Sequence, residues 1–83
     1  MIYTEYRFHV EFVEKDKEDN YFDLALDSMI EDRERSVSFD VQRQNAGEVS
    51  IIEGVSASEE EAAEANAFLL EILTGHGYEV IVE

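Results

Sequence analysis

The chain has 83 residues, with 6 Lys and Arg against 21 Asp and Glu, for a formal net charge of −15. It lacks Cys and Pro, and 45% of its residues are hydrophobic, so it has the means to bury one small core without disulfide staples. These figures exclude a disulfide scaffold, a thiolate metal site, a cysteine nucleophile and a solvated acidic tail, and they argue against direct binding to a phosphate backbone.

The charge is unevenly placed. Residues 1–43 carry all 6 bases and a net charge of −6, while residues 44–83 carry 9 acids and no base. Small domains that need only solubility usually mix the signs, at a net magnitude of about 2–8. The surplus here works against compaction through self-repulsion, so it points to a use for negative potential or to a high-salt setting. The first residues have no basic stretch followed by an apolar one, and no apolar run approaches the roughly 20 residues that span a bilayer. The expected location is therefore the cytoplasm.

Residues 2–13 alternate strictly. Ile2, Thr4, Tyr6, Phe8, Val10 and Phe12 fall on one side, and Tyr3, Glu5, Arg7, His9 and Glu11 on the other, which predicts a half-buried strand. A charged turn over 14–20 follows, where Asp19 or Asn20 can cap a helix. Phe22, Ala25, Leu26, Met29 and Ile30 then repeat at helical spacing and predict an amphipathic helix over about 21–34. Val37, Phe39 and Val41 alternate with polar residues as a second strand, and Gln44-Asn45-Ala46-Gly47 makes a turn. Val49, Ile51 and Val55 predict a third strand with those residues inward, disturbed near Glu53 and Gly54 by a bulge or fray.

Ser58-Glu59-Glu60-Glu61 has the capping-box pattern and opens a helix expected over 59–74. Ala62, Ala65, Leu69, Ile72 and Leu73 would face the core, with Phe68 at the edge. Gly75-His76-Gly77 stops this helix, with His76 well placed for the helix dipole, and Tyr78, Val80 and Val82 alternate as a last strand. The order βαββαβ folds most simply as an α+β domain of ferredoxin-like type: a four-stranded antiparallel sheet, its first and third strands central, with two helices on one face. The chain is read as one domain over 1–83. The open sheet face is expected to show Tyr3, Glu5, Arg7, His9, Glu11, Ser38, Asp40, Gln42, Ser50, Ile52, Glu79 and Ile81. Exposed Ile52 and Ile81 would suit a homodimer through that face.

Several constellations can be set aside. RNA-binding sheets of this topology need aromatics beside bases, and here Tyr3 stands among acids. A phosphate loop needs glycine and Arg, whereas 14–20 is acidic and glycine-free. Asp16, Glu18, Asn20 and Asp27 match some positions of a calcium loop, but Tyr21 stands where that loop needs Gly. Asp27-Ser28-Met29 resembles the attachment triplet of acyl carrier proteins, which are helical bundles with that Ser at a helix start; here Ser28 falls mid-helix in a chain that opens with a strand. Arg7, His9 and Glu11 share a strand face and offer an acid–base pair, with no nucleophile beside it. No metal and no cofactor is expected, and no catalytic residue is assigned.

The carboxylates remain. On a helix, side chains four apart are neighbours, so Asp23, Asp27, Glu31 and Glu34 are expected to form one acidic row, and Glu60, Glu64 and Glu71, reinforced by Glu59, another. Such rows suit docking where a partner presents Lys and Arg to nucleic acid. Small phage-encoded inhibitors of restriction and CRISPR nucleases share this size, charge and compactness. The expectation is a non-enzymatic, nucleic-acid-mimicking inhibitor whose partner is a basic nucleic-acid-binding protein. An acidic domain solvated for high salt, and a small dimeric enzyme or ligand-binding domain using the open sheet face, are the alternatives.

Overall fold

The computed structural model describes residues 4–15 and 20–81. Its elements are β1 (Tyr6–Val13), α1 (Asn20–Arg33), β2 (Val37–Gln42), β3 (Val49–Ser56), α2 (Glu59–Gly75) and β4 (Glu79–Ile81). The sheet order is β2-β3-β1-β4 and every pairing is antiparallel, so the ferredoxin-like arrangement expected from the element order is present, with β1 and β3 central. Within the described residues β1 starts at Tyr6, with Thr4 and Glu5 outside it; Ile2, Tyr3, Asp16, Glu18, Asp19 and Val82 lie outside the described residues.

One apolar layer joins the sheet to both helices. Val10 and Phe12 of β1 and Ile52 of β3 meet Phe22, Leu26 and Met29 of α1, Leu69 and Leu73 of α2, and Tyr78. The Phe12 ring meets Phe22 and Tyr78 edge-on, at centroid distances of 6.0 and 5.5 Å, a geometry that suits the ring quadrupoles. Both helices thus cover the same sheet face, and their outer ridges look away from it.

Helix α2 is capped as its first residues foretell. The Ser58 side chain accepts from the Glu61 N–H at 3.4 Å. The reciprocal half of the box is replaced, since the Ser58 N–H donates to Ser56 Oγ at 3.1 Å. At the other end the His76 N–H returns to the Ile72 carbonyl, and Gly77, at φ +78°, turns the chain into β4.

The register of β3 reverses the expected facing. Phe8, Val10 and Phe12 of β1 stand opposite Gly54, Ile52 and Ser50. Ile52 and Ser50 are therefore fully buried, while Val49, Ile51, Glu53 and Val55 turn to the open face. The bulge expected at Glu53 and Gly54 is absent, because both ladders run through those residues without a break. Gly54 is needed for another reason: the Phe8 ring lies over it, where any Cβ would sit, and meets Phe39 edge-on at 6.0 Å. Ile52 cannot centre a sheet-to-sheet dimer. Ile81 does lie on the open face, opposite Glu11.

Candidate functional site

Because the cations are few, their placement decides what the acids can do. Arg43 lies just beyond β2 and donates to both carboxylate oxygens of the buried Glu14, by Nε to Oε1 and by Nη2 to Oε2 at 2.9 Å. Its Nη1 donates to Asp23 Oδ1 at 3.1 Å, and its guanidinium faces the Phe22 ring at 5.0 Å. Ser50 Oγ also donates to Glu14 Oε1, at 2.8 Å. Hydrogen bonding to Glu14 and Asp23 raises the Arg43 pKa above its already high ordinary value. Lys15 donates to the His76 carbonyl and stands 4.5 Å from the Tyr78 ring centre. Arg33 lies over Phe68 at 4.3 Å, and Arg7 pairs with Glu5 at 2.9 Å. Of the five described bases only Arg35, in the turn after α1, stands exposed outside such contacts. The cations mostly serve local packing and leave the acid surplus without counter-charge.

All eight carboxylates expected to form the acidic rows are exposed. On α2, Glu60, Glu64 and Glu71 follow one another along the side opposite the buried Ala62, Ala65, Leu69 and Leu73, with Glu59 at the helix start. The α1 row is shorter than expected. Asp27 and Glu31 share the outer ridge, but Asp23 is drawn sideways to Arg43, and Glu34 falls in the turn after the helix ends at Arg33. The rows are therefore Asp27–Glu31 on α1 and Glu60–Glu64–Glu71 on α2, both on the side away from the sheet.

That side also carries two apolar residues that the α1 periodicity leaves off the core stripe. Tyr21 is 80% exposed and Leu24 is 65% exposed. Their spacing is the signal that finds them, since neither falls at the i, i+4, i+7 positions held by the buried Phe22, Leu26 and Met29.

A second arrangement occupies the open sheet face. Arg7, His9, Ser38, Asp40, Glu53 and Val55 line a groove of about 360 Å³. His9 stands opposite Glu53 across the β1–β3 ladder, and Glu53 opposite Asp40 across the next. The two His9 ring nitrogens meet Glu11 Oε1 at 3.1 Å and Glu53 Oε1 at 2.8 Å. These bonds, Glu11's first, raise the His9 pKa above 6.5 and favour an imidazolium donating from both sides. Such a ring is poorly placed to take a proton from Ser38, which lies two strands across and two residues along, roughly 11–12 Å away. The Glu53 contact spans 44 residues and could be found only from the strand register. The groups of three or more metal-binding side chains that could hold an ion are absent among the described residues, and no described helix is long and apolar enough to cross a membrane.

Comparison with known proteins adds no functional assignment: no family model, no curated protein and no solved structure matches this chain.

Proposed function

We propose that this protein is a non-enzymatic interaction protein that sets its acidic helical side against a basic, nucleic-acid-binding surface of a partner protein, as a nucleic-acid-mimicking inhibitor of the anti-restriction or anti-CRISPR kind would. One observation carries the reading. Most described bases are engaged in local contacts, while Asp27, Glu31, Glu60, Glu64 and Glu71 lie exposed along two neighbouring helices. A surface of this kind attracts Lys and Arg over a Debye length and speeds encounter, with a steep dependence on salt. Asp23, Glu34 and Glu59 flank it and extend its field.

The test immobilises the full chain and challenges it with bacterial lysate, with salt-step elution and duplex DNA as competitor. The expected result is one nucleic-acid-binding protein or complex, released by moderate salt, displaced by DNA, and lost when the bait carries D27K/E31K/E64K. A folded bait that retains nothing beyond what polyglutamate retains overturns the reading. So does capture that survives the triple reversal.

A further inference from the structure

The outer ridge of α1 is not uniformly acidic. At its N-terminal end Tyr21 and Leu24 stand one turn apart, 80% and 65% exposed, and Ser28 follows one turn later. Asp27 and Glu31 continue the ridge, and Asp23 lies beside it. Solvation alone does not account for the apolar pair: a helix that only has to stay in solution gains nothing from Tyr and Leu at two strongly exposed positions, and both add to aggregation risk. Their positions, i and i+3 on one ridge, match two of the anchor positions by which an amphipathic helix seats in a groove. Tyr is moreover among the residue types that dominate binding energy at protein interfaces.

We propose that the α1 ridge is the docking element, and that it fits a protein groove with an apolar floor for Tyr21 and Leu24 and a rim of Lys or Arg for Asp27 and Glu31. This deepens the proposed function and rests on it. Charge complementarity selects the occupant. Around Tyr21 and Leu24 the exposed charges on α1 are carboxylates, and Arg43, which reaches this helix at Asp23, is held by Glu14 and Asp23. A second copy of this chain would set carboxylates against carboxylates, and a nucleic acid or an anionic lipid surface would be repelled. A flat polycation would satisfy the acids but leave the apolar pair in water. A basic groove with an apolar floor satisfies both.

Two synthetic peptides with the same number of lysines test this with the full chain: oligolysine, and a longer amphipathic Leu–Lys helix. Affinities are measured at about 150 mM NaCl, and contacts are mapped by amide chemical shifts. The expected result is that the Leu–Lys peptide binds at least tenfold more tightly than oligolysine, with shifts centred on 20–31. In Y21S/L24S that excess disappears while oligolysine affinity is unchanged, and in Y21F/L24M the excess returns. Both substituted side chains are mostly exposed, so circular dichroism should match that of the parent chain.

Equal affinity for the two peptides overturns the docking element but leaves the acidic reading standing. An excess retained in Y21S/L24S, or shifts centred on α2 or on the open sheet face, does the same. Failure of both peptides to bind overturns the proposed function together with this inference.

Discussion

Glu14 and Arg43, 29 residues apart in the chain, meet in a two-pronged bond that fastens the end of β1 to the start of the β2–β3 turn. The carboxylate is almost wholly buried, whereas the guanidinium side chain keeps a third of its surface exposed. Removing the cation would leave Glu14 with Ser50 as its remaining side-chain donor. R43M should therefore cost about 3 kcal/mol, as other broken buried pairs do. In a domain of this size that lowers Tm by roughly 12–24 °C. The double variant E14Q/R43M removes the stranded charge and should recover about half of the loss. Thermal unfolding of the two variants checks this, and equal losses would show that the pair is not a unit.

The His9 bridge gives a pH dependence of definite sign. Glu11 and Glu53 raise the folded-state pKa above the ordinary 6.5. Stability from the bridge is then fully present below 6.5 and is lost as pH rises through the folded value. H9Q should be less stable than the parent chain at about pH 6, and the gap should close by about pH 9. A histidine ring titration by NMR should place the His9 midpoint above 6.5. A gap that is constant from pH 6 to 9 would mean that the ring contributes packing alone.

Element order was legible in the sequence because the period of each apolar pattern is long and clean, as in Phe8–Val10–Phe12 and in Phe22–Leu26–Met29. The facing of β3 was not. Val49, Ile51 and Val55 outnumber the lone Ile52 of the other parity, so counting apolar residues points the strand the wrong way. What decides the matter lies outside the strand. Ser50 is admitted to the interior because Glu14 accepts its hydroxyl proton, and Gly54 because the Phe8 ring fills its place. Both partners are far away in sequence, and neither leaves a local signature. The acidic rows were legible from spacing, except where Arg43 draws Asp23 aside and where α1 ends at Arg33, before Glu34.

Gly54 offers a direct check of that packing. A methyl group added there would fall within the Phe8 ring, which must then swing away from Phe39. G54A should cost about 1–3 kcal/mol, in the range of other overpacked cores. If the ring is the obstacle, G54A should cost less in an F8A background, because residues in contact couple. Chemical denaturation of the four variants of this cycle gives the coupling, and a value of zero would remove Phe8 from the account.

The acid surplus itself has a stability consequence opposite to its proposed use. Glu60 and Glu64 are like charges one helical turn apart, as are Asp27 and Glu31, and all four are exposed. Such pairs are destabilising by a few tenths of a kcal/mol each, whereas an acid four residues before a Lys is favourable. E31K/E64K converts both pairs at once, so it should stabilise the domain by about 0.5–1 kcal/mol at low salt. The gain should shrink in molar KCl, where the Debye length falls to about 3 Å. The same double change should weaken capture of a basic partner. A surface kept for docking therefore predicts that stability rises as binding falls. Carboxylates that serve only to hold water and cations predict no loss of a partner and, in low salt, an unstable parent chain that KCl rescues. Melting curves of parent and E31K/E64K at low and molar KCl, read beside their binding, separate the two. A fall in Tm on reversal at low salt would show that the carboxylates support the fold rather than burden it.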